Sequence, residues 1–244
     1  MLIFIVLISI LTGFASIIAF MSGFGLSTIM TSFLVFVLPV STIIILVAPI
    51  HCAHSLWKVV LYRSYVNWHI TLIFGIPAMA ASYFGASLVH YAYHDYFSRA
   101  LGIFLMGYAL ILWLRPSFRL DPSCTLLIIV GIITGFSAGI FGIRGAIRAV
   151  ALSAYDLKKE VYIATTGMIS LFVDAIRMTT YWLSGSLELL DMQLRIGLMI
   201  FILISFVGAL IGRLIVDHIP QRIFRPIVAG FIFVVGLKLL MWPT

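Results

Sequence analysis

The 244 residues are 63% hydrophobic and only 9% charged, with a mean hydropathy of +1.21, whereas a soluble domain carries about a quarter charged residues. That leaves no room for a separate soluble domain and defines an all-α polytopic membrane protein, because several apolar runs approach the ~20 residues that span a bilayer. The net charge of +7 suits loops beside anionic lipid and not nucleic acid, since Lys and Arg lie between apolar runs instead of in one patch.

In chain order, residues 2–20 form a first apolar helix, interrupted at Ser22-Gly23-Phe24-Gly25. With no basic segment before it and many apolar runs behind it, it reads as a retained helix, not a cleaved signal peptide. A second piece from about Gly23 to Leu38 stops before Pro39; at 1.5 Å per residue it falls short of the ~30 Å hydrocarbon core and does not cross alone. Residues 41–62, 69–91 and 97–114 are three further spans. Arg115-Pro116-Ser-Phe-Arg119-Leu-Asp121-Pro122 is the linker, because two prolines and three charges do not sit in lipid. Beyond it come a helix at 124–141, a short piece at 145–157, and longer ones at 160–184, 192–216 and 222–241.

The second half repeats the first. Thr12-Gly13-Phe14 and Gly23 correspond to Thr134-Gly135-Phe136 and Gly145, Lys58 and Tyr62 to Arg177 and Tyr181, Gly85-Ala86 to Gly208-Ala209, and Arg99 to Arg225. The expected organisation is a first repeat over 1–115, a linker over 116–122 and a second repeat over 123–244. Each repeat has about five helical segments, an odd number that inverts one copy relative to the other. Counting sides in this way gathers Lys58, Arg63, Arg115, Arg119, Lys158, Lys159, Arg213, Arg222 and Arg225 on one face. The positive-inside rule makes that face cytoplasmic and both termini external.

The two glycine-interrupted short pieces mark the expected site, since irregular backbone at membrane depth survives only where protein or water satisfies it. In the second copy Gly131, Gly135 and Gly139 fall four apart on one helical face, which invites a close neighbour. Gly142 and Gly145 then break the helix beside Arg144 and Arg148. Two cations at a positive helix end need an offsetting charge, and a bound anion supplies it. The alternative is that both arginines snorkel to lipid headgroups.

Gly135-Phe-Ser-Ala-Gly139-Ile-Phe-Gly142-Ile-Arg144-Gly145-Ala146, with its weaker N-terminal counterpart, resembles the TauE/SafE sulfite exporter family, also described as permeases for sulfonates and related sulfur anions. The resemblance covers nearly the whole chain. It implies a secondary transporter of a small anion, sulfite or an organosulfonate, in the plasma membrane of a prokaryote. The family's second break usually reads Gly-x-Gly-Gly-Pro, so Arg144 stands for a glycine and Ala146 for a proline; Phe20, Met21 and Ser22 replace glycines at the first. The expected substrate-binding residues are Ser22, Gly23, Gly25, Gly142, Arg144, Gly145, Arg148, Lys58, Arg177 and Tyr181. Arg144 is assigned the anion itself.

Lys58 and Arg177 each precede a tyrosine by one turn and serve either one anion from both halves or the interface as anchors, the latter favoured for Lys58. Asp174 and Arg177 pair at i, i+3, with Asp174 the candidate for ion coupling. His51-Cys52-Ala53-His54 and the His90/His94 pair are weak metal signals without a third ligand. No metal or other cofactor is expected, and no phosphate-binding loop is present. The partners are a small inorganic or organosulfur anion and the lipid bilayer, with no nucleic acid and with homo-oligomerisation left open. A membrane-embedded enzyme or a structural subunit remains the alternative, although no nucleophile with a base and no paired carboxylates are evident.

Overall fold

The computed structural model describes residues 2–22, 26–89, 95–114, 121–215 and 221–242. Among them are ten α-helices and no strand: α1 (Leu2–Ser22), α2 (Leu26–Leu34), α3 (Val40–Tyr62), α4 (Trp68–Ser87), α5 (Asp95–Leu114), α6 (Cys124–Phe141), α7 (Gly145–Ser153), α8 (Lys159–Leu183), α9 (Met192–Ile215) and α10 (Gln221–Met241). The order long, short, long, long, long occurs twice. Helix starts follow local chemistry: Asn67 accepts from the Ile70 N–H at the start of α4, and Ser123 from the Leu126 N–H at the start of α6. Six helices, α1, α3, α4, α6, α8 and α9, have described segments long and apolar enough to cross a membrane, which makes the chain an integral membrane protein.

The α6 glycine stripe meets α4. A Cβ on Gly131 would lie 2.6 Å from the Phe74 carbonyl oxygen, and one on Gly135 would run into the Ala78 backbone. A Cβ on Gly139 would lie 2.7 Å from the Ala86 nitrogen, and one on Gly85 2.5 Å from the Phe136 oxygen. Contacts that advance in step, from 74 with 131 to 78 with 135, mean that α4 and α6 run parallel. Helices α1 and α9 do the same: a Cβ on Gly208 would meet the Gly13 oxygen at 2.8 Å and one on Gly212 the Ile17 oxygen at 2.9 Å. Gly85 and Gly208, aligned by sequence, each pack the fourth helix of one half against the first helix of the other.

Helices α3 and α8 cross antiparallel through the middle of the molecule. Gly167 lies against Lys58 and Ser55, while Asp174, further along α8, reaches back to His51. Helices α5 and α10 form a further pair, in which Gly102 and Gly236 abut: a Cβ on either would lie 2.7 Å from the carbonyl oxygen of the other.

Helices α6 and α7 form a hairpin. Gly142 adopts φ +73°, a left-handed cap whose N–H donates to the Ala138 carbonyl. Ile143 and Arg144 then lead into α7. Beyond α7, the Tyr155 hydroxyl donates to the Ser123 carbonyl at 2.8 Å, so the chain returns to the end where α6 began. With nine residues, roughly 14 Å, α7 cannot cross a bilayer. It ends at Ser153, four residues before the expected limit. The first break, Gly23 to Gly25, lies outside the described residues, as do His90, His94 and most of the linker.

Candidate anion site at the helix break

The α6–α7 break points at the midpoints of α3 and α8. Arg144 is the residue before α7, and its Nη2 donates to Asp174 Oδ2 at 2.5 Å. Asp174 Oδ1 accepts from Arg177 Nη1 at 3.1 Å, as the i, i+3 spacing implied. His51 on α3, midway between Val40 and Tyr62, completes the group: its Nδ1 lies 2.8 Å from Asp174 Oδ2 and 2.5 Å from Arg144 Nη2. Ser55 Oγ is 3.2 Å from the same nitrogen. One turn into α7, Arg148 donates to the Thr166 carbonyl at 3.0 Å and to Ser170 Oγ.

All of these groups are enclosed. Arg144, Arg148, Arg177 and Lys58 are between 1% and 8% exposed, and Asp174 is fully buried. Arg144 and Arg148 therefore face protein and not lipid headgroups, which removes the snorkelling alternative. Lys58 is likewise no interfacial anchor: its Nζ donates to the Ala19 carbonyl at 2.8 Å near the end of α1, within electrostatic reach of Arg148 and Arg144. Tyr181 donates to the Gly139 carbonyl at 3.0 Å near the end of α6, and its ring lies 5.6 Å from the Arg177 guanidinium. Each half thus uses a side chain of its central helix to satisfy a carbonyl near the end of its first helix. Gly142 abuts Arg177, where a Cβ would come within 3.3 Å of Nη2. Gly145 is buried at the first turn of α7. Ser22 ends α1, whereas Gly23 and Gly25 lie outside the described residues.

Among the described residues, four cations are buried and only one carboxylate is, Asp174, which Arg144 and Arg177 contact. Moreover, Arg144 Nε and Nη1 have no hydrogen-bond partner. A guanidinium carries five N–H donors; unpaired in a protein interior they are costly, and an oxyanion satisfies them. Ser55, His51 and Asp174 share the residue types of a hydrolase triad but not its geometry. Both Ser55 and Asp174 contact Nδ1, whereas a relay needs the nucleophile on the opposite ring nitrogen. No three His, Cys, Asp or Glu side chains gather as a metal site among the described residues.

Reading the sequence pairwise missed His51 as a partner of Asp174. The signal was there: His51, Ser55, Lys58 and Tyr62 have the spacing 4, 3, 4, as do Ser170, Asp174, Arg177 and Tyr181. Two matching polar stripes on otherwise apolar helices are two faces turned towards each other.

A helical bundle with charge enclosed around a broken helix defines the class of a membrane transporter. The chain belongs to the family Sulfite exporter TauE/SafE, which matches residues 7–239. It is 31% identical over 116 residues to a probable membrane transporter protein of Methanocaldococcus jannaschii, an alignment covering 43% of this chain and 42% of that relative. The chain thus matches less than half the length of this curated relative. No solved structure matches it.

Proposed function

We propose that this chain is a secondary transporter of a small anion, sulfite or an organosulfonate, bound at the α6–α7 break by Arg144, Arg148, Arg177, Lys58 and the backbone N–H groups that open α7. The observation that carries this reading is the excess of buried positive charge, with unpartnered donors on Arg144. The interior tolerates such an excess when a counter-ion is bound. Tyr181, Gly142 and Gly145 shape the cradle, and by the repeat correspondence Ser22, Gly23 and Gly25 are the substrate-binding residues assigned to the first half. Asp174 links the site to a coupling ion. The family name favours sulfite over other oxyanions, and the protein works in the plasma membrane of a prokaryote.

The two halves, 1–115 and 123–244 about the 116–122 linker, act as inverted repeats. Supporting this, the equivalent helices α3 and α8 run antiparallel, and each half's first helix lies parallel to the other's fourth. A twofold axis in the membrane plane produces both relations, whereas an axis along the membrane normal would leave α3 and α8 parallel. The α6–α7 hairpin returns to its own side, leaving three crossings per half, which keeps the count odd.

The test is purified protein in proteoliposomes, screened with sulfite, sulfate, thiosulfate, methanesulfonate and chloride for flux and for thermal stabilisation. Saturable flux and stabilisation by a sulfur oxyanion are expected, both shifted to roughly tenfold to a hundredfold higher anion concentration with Arg144→Ala. Activity indifferent to the anion would overturn the assignment.

A further inference from the structure

The contacts in the triangle between α3, α8 and the break depend on the tautomer and charge of one imidazole ring. Arg144 Nη2, Asp174 Oδ2 and His51 Nδ1 lie 2.5, 2.5 and 2.8 Å apart. A ring nitrogen either carries a proton and donates, or presents its lone pair and accepts. With a proton on Nδ1, the 2.8 Å contact to Asp174 is a hydrogen bond, and in the neutral ring Nε2, 3.4 Å from Arg144 Nη2, is left to accept from the guanidinium. Without it, Arg144 Nη2 donates to the ring and Asp174 faces a bare lone pair. The neutral ring thus keeps an acceptor for Arg144 in either tautomer, whereas the imidazolium donates at both nitrogens and keeps none.

We propose that His51 is the proton-binding residue of this transporter, and that protonation of the ring turns Arg144 from His51 towards the bound anion, so that proton and anion occupy the site together. The proposal rests on reading the cluster as an anion site. Other groups facing His51 are few. Arg177 stands behind Asp174 on α8, Arg148 follows Arg144 on α7, and His54 and Lys58 lie along α3 itself, with Cys52 adjacent. The described residues of α1 and α2 bring no titratable side chain. From α9, Arg213 lies over Tyr62 at one end of α3; Arg63 and Glu188 are exposed near the two ends.

Asp174 is poorly placed to carry the proton itself, since two guanidiniums hold it as a carboxylate. Instead it accepts from the protonated ring. An imidazolium added to four cations and one carboxylate is unfavourable when the site is empty and offset when an anion is present. By reciprocity, the anion then binds tighter as pH falls, by up to about tenfold per pH unit while His51 titrates. The histidine takes one proton from the side where the anion enters and releases it where the anion leaves, so a monovalent anion moves with no net charge.

The test uses methanesulfonate, which does not itself titrate near neutral pH, in proteoliposomes containing a pH-sensitive dye. For the wild type, an inward methanesulfonate gradient should acidify the lumen, and affinity should rise about tenfold per pH unit lowered across the transition. His51→Gln should abolish the acidification and flatten the pH profile while anion exchange remains measurable. Wild-type anion flux without proton flux, or a His51→Gln variant that still moves protons, overturns the proposal and leaves the anion-site reading intact. Absence of both binding and flux for methanesulfonate and the other sulfur oxyanions overturns both. Should His51→Gln fail to accumulate in membranes, wild-type proton flux and its pH profile still decide.

Discussion

Arg144 is where residue chemistry and family pattern part. A guanidinium stands where the family resemblance led to the expectation of a glycine, and it is among the largest fully buried side chains of the described chain. Its Nη2 is committed to Asp174 and His51, leaving Nε and Nη1 for a ligand. Charge-assisted bonds of this kind contribute about 1.5 to 3 kcal/mol, so Arg144→Ala should weaken anion affinity by roughly tenfold to a hundredfold. Arg144→Lys keeps the charge but loses the planar fork and should recover part of the loss. Arg144→Gly should alter which anion is accepted, without ending transport. Titration calorimetry or thermal shift on the three variants checks this; unchanged affinity and selectivity in all of them would return Arg144 to a structural role. Arg144, Arg148, Asp174 and Arg177 were legible because a charge in an apolar helix stands out against its surroundings. His51 was not, because beside Cys52 and His54 it gave only a weak metal signal, and only the antiparallel crossing of α3 and α8 brings it to Asp174.

At the scale of elements, small residues decide which helices touch. The Gly131, Gly135 and Gly139 stripe announced a close neighbour, and α4 fills that place with carbonyls where Cβ atoms would otherwise stand. Helix–helix association in a bilayer depends on such close packing, because apolar burial drives it little. Gly135→Val should therefore separate α4 from α6 and lower the unfolding temperature in detergent sharply. By contrast Gly107, with nothing within 4 Å of a Cβ, should accept Ala with a small gain, about 0.5 to 1 kcal/mol. Equal effects of the two substitutions would show that the stripe is not what holds this pair. Gly142→Ala is a different case: at φ +73° the cost is backbone strain, roughly 1 to 2 kcal/mol, added to crowding of Arg177. Helix limits were readable within a few residues because prolines, caps and charges bound the apolar runs. The pairing of helices was not, because apolar faces in lipid carry no hydrophobic contrast that tells a partner from the bilayer.

For the whole molecule, the proposed inversion of the two halves is the property on which an alternating mechanism would depend, since equivalent halves facing opposite sides can exchange inward-open and outward-open forms around one site. Charge points the same way: Arg63, Lys158, Lys159 and Arg213 gather on the side that the linker occupies when three crossings are counted in each half. The test compares equivalent loops within one protein. Ser64, exposed after α3, and Glu188, exposed after α8, hold corresponding places in the two halves. In a background without Cys52 and Cys124, which are free thiols, Ser64→Cys and Glu188→Cys should react from opposite sides of the membrane with an impermeant maleimide. The positive-inside rule further specifies that intact cells label Glu188→Cys while Ser64→Cys reacts only after permeabilisation, as should Ser117→Cys in the linker. If both loops label from the same side, the halves are not inverted, whichever way the protein faces. If they label from opposite sides in the reverse sense, inversion stands and only the cytoplasmic assignment of the basic face is lost.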